Sequence, residues 1–182
     1  MTGHLNIQDI VKFLRLSGTE FYEYCQGLPE EVLFAQPAGK WSAAQQVKHL
    51  IISANNTRLA YSLPKFIVRL VVGKPNRNSR NYDELVAKYT KKLQEGGRAS
   101  ARFVPKPVPA SYGKEKLLQQ FNTAMERLAV SIEKKWTDLL LDNYLAPHPL
   151  LGKITLRELG YFTIHHTHHH LKSIRALAGG NG

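Results

Sequence analysis

The sequence predicts an all-α protein: a four-helix bundle with a long crossover between its second and third helices and a short extra helix inside that crossover. Three observations carry this. Apolar residues recur at three-to-four spacing along four long segments. Capping-box patterns open two of those segments. No alternating strand pattern of useful length and no internal repeat is evident in the 182 residues.

The first helix is predicted over residues 7–26, with Ile7, Ile10, Val11, Leu14, Phe21 and Tyr24 on its apolar side and Gly27 and Pro29 as its stop. Ser42 followed by Gln45 opens the second, which runs toward Leu63, where Pro64 ends or kinks it. From 65 to 113 the chain reads as a long irregular connection, rich in Gly, Pro and the stretch NRNSRN. Within it, DELVAKYTKKLQEG places Leu85, Tyr89 and Leu93 at helical spacing. The third main helix, KEKLLQQFNTAMERLAVSIEKKW, sets Leu117, Leu118, Phe121, Met125, Leu128 and Ile132 on one face. A Pro-rich loop, DNYLAPHPLLGK, precedes the last helix, which opens at Thr155 and Glu158 and runs to about Leu177 before Gly179 and Gly180.

A chain of this length with 43% hydrophobic residues can bury a sizeable core, and the whole of 1–182 reads as a single domain. The start, MTGHLNIQDIVKFLRL, lacks the marks of a secretory signal, and apolar runs such as FIVRLVVG are too short and too charged to cross a bilayer. Cys25 stands alone, which fits a reducing compartment. The expected setting is therefore the cytoplasm, away from membranes. Net charge is +11, and residues 65–116 hold 13 Lys/Arg against 4 Asp/Glu. Such a segment can steer anionic partners or simply be a solvated connection. No nucleic-acid motif accompanies it, so no specific nucleic-acid binding is expected.

The most telling stretch is YFTIHHTHHHLKSI, with five histidines at 165–170. At about 100° per residue, Leu159, Phe162, Thr163, His166, His170, Ser173, Ile174 and Leu177 form one stripe. His165 and His169 flank it, and His168 points away beside Tyr161 and Arg175. The unbroken apolar frame excludes a purification tag. His166 and His170, four apart, project from successive turns on one side and can share an ion, although a pair of hydrogen-bonded core histidines has the same spacing. Thr167 stands where a zincin would need Glu. LGKIT at 151–155 lacks the spacing of a phosphate-binding loop. A third ligand must come from another element, and His49 in QQVKHL is the candidate. It shares a helix side with Gln45, Ile52 and Asn56, opposite Val47 and Leu50, which suits either a solvent-facing residue or one lining a polar cleft. His4 lies near the terminus and His148 in a Pro-flanked loop.

The motif W-S-x(6)-H-L at Trp41, Ser42, His49 and Leu50, with the ending LGKITLRELGYFTIHHTHHHLKSI, resembles the DinB-like superfamily of bacterial metal-binding four-helix bundles. EGGRASARFVPKP is similar to the Gly-rich crossover of one of its branches. The resemblance covers nearly the whole chain. It implies a three-histidine site at His49, His166 and His170, the last two agreeing with the pair that helical phase selects. It also implies thiol S-transferase-like chemistry or metal-dependent hydrolysis, since relatives include transferases of low-molecular-weight thiols, a mycothiol-dependent isomerase and proteins described only as metal-dependent hydrolases. DNA-damage induction gave the family its name and says nothing of DNA binding.

Three neutral imidazoles leave a Zn²⁺ or Ni²⁺ ion with an open coordination position, the layout of a catalytic site. The expected cofactors are thus a divalent ion and a low-molecular-weight thiol cosubstrate, and the expected partner is a small-molecule substrate. No catalytic acid or base is assigned. Glu20, Glu23 and Asn56 are merely polar residues on predicted helices, and Cys25 reads as a small buried side chain. Exposed helical faces are compatible with a homodimer. The reading of a different class is a non-catalytic, metal-stabilised module that engages an anionic partner through 65–116.

Overall fold

The computed structural model describes residues 3–179; the outermost residues, Gly180 of the predicted stop among them, lie outside the described part. Helix α1 (Ile7–Gly27) opens where the Asn6 side chain accepts the Asp9 amide proton, and it buries Ile10, Leu14, Phe21 and Cys25. After Pro29 comes a single turn or so of helix, α2 (Glu30–Phe34). Helix α3 (Ala43–Ser62) begins at the predicted capping box: the Ser42 hydroxyl accepts the Gln45 amide proton at 3.1 Å, and the Gln45 side chain accepts that of Ser42 at 3.1 Å. Pro64 ends α3, and the chain resumes at once as α4 (Lys65–Val72). Helices α5 (Tyr82–Gln94), α6 (Lys114–Lys135) and α7 (Asp138–Asn143) follow, then strands β1 (Leu145–His148) and β2 (Gly152–Thr155), and last α8 (Leu156–Gly179).

The four long helices close a ring, because α1 packs against both α6 and α8 and α3 packs against the same two. Inside it Phe21 and Phe121 meet with ring centroids 4.7 Å apart, among fully buried Leu14, Leu118, Leu128 and Ile132. Gly160 is small for a reason. A Cβ there would stand 2.9 Å from Cγ2 of Ile10, so only glycine lets α8 come this close to α1.

Two expectations are corrected. FIVRLVV is not irregular chain but helix α4, bounded by Pro64 and by Gly73 at φ +96°. It buries Val68 and leaves Phe66, Leu70 and Val71 exposed. The Pro-rich loop is not all loop either: β1 and β2 form an antiparallel hairpin in which Leu145 pairs with Thr155 and His148 with Gly152. Strands of four residues are too short to display an alternating pattern, and Pro147 within β1 argues against a strand from sequence alone.

The start of α8 ties the crossover to the bundle. Thr155 and Glu158 form the predicted reciprocal cap, with the Glu158 amide donating to the Thr155 hydroxyl at 3.2 Å and the Thr155 amide to the Glu158 carboxylate at 3.0 Å. The same carboxylate, fully buried, receives both arms of the Arg77 guanidinium at 2.7 and 2.8 Å and the Arg80 amide at 2.8 Å. Burial pushes the acidity of Glu158 toward a higher pKa, but Arg77 and the two amides outweigh it and hold the group below its ordinary value. On its other side, Arg157 binds Asp142 of α7 through Nε at 2.7 Å and Nη2 at 2.9 Å. With both connections anchored at one helix end, α5 lies along α8. That places Tyr89 against the histidine-rich face.

Candidate metal centre

Each of the three predicted histidines is placed by a different local feature. His49 stands one turn beyond Gln45, which is held at both ends of its side chain: it takes part in the Ser42 cap and donates to the Pro105 carbonyl at 3.4 Å. His166 and His170 lie one turn apart on α8, within the buried stripe of Leu159, Phe162, Thr163 and Ile174. His49 and His166 are each 4% exposed and His170 8%. The polar-cleft alternative for His49 is thus the one realised.

The imidazoles converge through their Nε2 atoms. His166 Nε2 is 3.1 Å from His49 Nε2 and 3.1 Å from His170 Nε2, and all three candidate ligand atoms lie within 4.8 Å of one another. Nitrogens bound at about 2.0–2.1 Å to one tetrahedral or octahedral ion are about 2.9–3.4 Å apart, so two of these separations already match a shared ion. Protonation strengthens the fit. The Nδ1 of His49 sits 2.7 Å from the Phe103 carbonyl, and that of His170 sits 2.9 Å from the Gln46 amide oxygen. Both partners can only accept, so each ring carries its proton on Nδ1 and turns a bare Nε2 lone pair inward. His166 Nδ1 is buried without a partner. One proton on His166 Nε2 can serve one facing lone pair well but not both, and moving it to Nδ1 leaves three lone pairs face to face. A cation satisfies all three.

Burial is the main reason all three rings stay neutral. It drives His166 and His170 far below the ordinary imidazole range, and their neighbouring imidazoles add to the effect. Burial also lowers His49, against the pull of the Phe103 carbonyl. Neutral imidazole is the form that ligates metal.

The cluster opens into a cleft of about 620 Å³, within the size range of small-molecule sites. Trp41 forms one wall, its ring 5.0 Å from that of His49, and Phe162 stacks on His166 at 4.8 Å. The remaining predicted residues fall apart. His168 lies outside the cluster, 3.7 Å from Glu20, which also pairs with Arg175 at 3.1 Å. His165 and His169 border Tyr89, and His169 lines the cleft as does Asn56. Tyr161, assigned with His168 to the outward side, is instead fully buried, its hydroxyl bonded to the backbone of Leu5. The segment before α1 covers that side of α8. Cys25 is fully buried, and burial pushes its thiol up to about 12.

Of the basic crossover side chains, Arg77, Arg80 and Lys92 are spent on Glu158 and Glu95, and Lys114 caps the carbonyls of Gln26 and Leu28. Lys74, Lys91, Arg98, Arg102 and Lys106 of the same segment are exposed.

Sequence reasoning missed three contributors. Gln46 lies three residues before His49, hence on the same side of α3, and that spacing was a usable signal. The Phe103 carbonyl offered none, because a backbone acceptor has no residue signature. His148, set aside for its Pro-flanked loop, is 9% exposed and lines the cleft, its ring 4.2 Å from Phe162.

A helical bundle whose interior opens on three inward-facing imidazoles is the class that fold and site define together. Over residues 14–174 the chain matches the DinB superfamily, and it belongs to that family. No curated protein and no solved structure shows significant similarity to it.

Proposed function

We propose that the protein is a metal-dependent enzyme acting on a small molecule, with a divalent ion, Zn²⁺ or Ni²⁺, held by His49, His166 and His170. The observation that carries this reading is the convergence of three Nε2 atoms, two of them with their lone pairs set inward by the Phe103 carbonyl and Gln46. An ion with three imidazole ligands keeps a position open and supplies Lewis acidity that makes a thiol or a water more acidic. The chain's own residues do the rest. Phe103 and Gln46 hold the rings in one tautomer. Phe162 stacks on His166 and Trp41 lies parallel to His170, which restrains both rings. Thiol transfer or closely related chemistry is favoured over hydrolysis on the family's activities alone. Among the described residues no acidic side chain lines the cleft, so the groups at hand for proton exchange are a histidine, Tyr89 or solvent.

Elemental analysis of protein purified without a tag tests the reading, with about one divalent ion per chain as the expected result. His49→Ala, His166→Ala and His170→Ala should each lose it, and His168→Ala should keep it. The apolar core extends through all four long helices and is large enough to hold the fold without the ion, so chelation should abolish turnover on a panel of thiols and electrophiles while leaving far-ultraviolet dichroism unchanged. A chain that binds no ion after reconstitution, or that unfolds without it, overturns the proposal.

A further inference from the structure

The formally charged groups that line the cleft are of one sign. Among the described residues no Asp, Glu or Lys lines it, while Arg98 and Arg102 both do. Arg77, Arg80 and Lys92 on the same crossover have carboxylate partners; Arg98 and Arg102 have no ionic partner among the described residues. Both are exposed, so their charges stand at the mouth while the histidines form the floor. The Arg102 guanidinium lies 4.7 Å from the Phe103 ring, which restrains it beside the residue whose carbonyl meets His49.

His148 adds a fixed donor. Its Nδ1 accepts the Leu150 and Leu151 amide protons at 3.2 Å each, so a neutral ring must carry its proton on Nε2. That nitrogen has no hydrogen-bond partner among the described residues. The rest of the wall is mainly apolar, with Trp41, Leu63, Leu93, Phe103, Leu150 and Phe162 among its residues, and its other polar side chains, such as Ser53, Asn56 and Thr57, are uncharged. A surface of this sort rejects hydrophilic cations and leaves two guanidinium groups and an imidazole N–H to be satisfied by what enters.

We propose that the cleft takes a small molecule with an apolar body and an anionic end group, the body lying between Trp41 and Leu150 and the anion at Arg98 and Arg102. This deepens the function proposed above, because it rests on the histidine cluster being the reacting end. It gives the substrate a direction: anion outward, reacting atoms inward. A carboxylate, a sulfonate or a phosphate monoester satisfies the two arginines alike.

The test uses chelator-treated full-length protein and chain-matched probes: decanoate, decanol and decyltrimethylammonium, with binding followed by calorimetry and by quenching of Trp41. Decanoate should bind at least tenfold more tightly than decanol, and the cation should not bind measurably. In the Arg98→Gln/Arg102→Gln double variant the preference for the acid should fall at least fivefold while decanol affinity stays unchanged, which also shows that the pocket is intact. Lys74→Gln/Lys91→Gln, charges away from the cleft, should alter nothing. Equal affinity for acid and alcohol, no binding of decanoate, or an acid preference that survives in the arginine double variant overturns the proposal. A preference that appears only after zinc is added also overturns the arginine assignment, yet it would support the metal site, so the two readings fail separately.

Discussion

Removing the acceptor behind His170 should weaken metal binding without touching a ligand. The Gln46 amide oxygen stands 2.9 Å from His170 Nδ1, and the two residues are 4% and 8% exposed, so no solvent replaces the lost partner. Gln46→Leu leaves a buried N–H unsatisfied, which costs about 1–3 kcal/mol in the metal-free protein. For a chain of this size that is a fall in Tm of roughly 2–12 °C. It also frees the ring to rotate or to take its other tautomer, and loss of such an outer partner typically lowers metal affinity about 10–100-fold, or about 1.4–2.7 kcal/mol. Affinity is read by competition with a chromophoric chelator at neutral pH, and stability by thermal melts of the chelated protein. Gln46→Glu restores an acceptor and should recover affinity to the starting value or better. A Leu variant that binds zinc within twofold of the unchanged protein, while His170→Ala loses it, would refute the claim that Gln46 orients His170. So would a Glu variant as weak as the Leu one.

Other expectations follow from the anchoring contacts. Glu158→Gln keeps the cap but strips the charge from a buried carboxylate paired with the partly exposed Arg77 and Arg80, and should cost about 1.5–3 kcal/mol in urea titrations; a loss under about 0.5 kcal/mol would mean that the pair is solvated. Burial lowers His148 to about 4, so the unfolded chain takes up its proton first as pH falls below about 6.5. Stability from this residue is complete above that pH and is lost between it and about 4, amounting to about 2 kcal/mol by pH 5. The chelated protein should therefore unfold at lower urea at pH 5 than at pH 7.5, and equal midpoints would contradict it. Cys25, buried and shifted up to about 12, should resist thiol reagents until the protein unfolds, and Cys25→Ser should keep full activity. Rapid modification of the native protein would show that α1 opens there.

Periodicity was sufficient for the frame of this protein. Each long helix is delimited by local chemistry, either a side-chain cap or a Pro or Gly stop, and its buried face follows from spacing alone, so the four helices, both capping boxes and the pairing of His166 with His170 were legible in the sequence. The DinB resemblance was legible too, in the motifs around His49 and the histidine run, and the chain does belong to that superfamily. What lay beyond reach depended on contacts between residues far apart in the chain. Phase alone left His49 between solvent and cleft, and only packing of α3 on α8, with Phe103 laid across it, brings it 3.1 Å from His166. The hairpin at 145–155 and the burial of Tyr161 are of the same sort: strands this short are held by their neighbours, and a helix side is outward only if nothing covers it. A residue's spacing is set by its own helix, whereas its partners, its burial and hence its protonation are set by whichever segments fold against that helix. Tertiary structure alone therefore decided how closely the imidazoles approach and which nitrogens they turn inward.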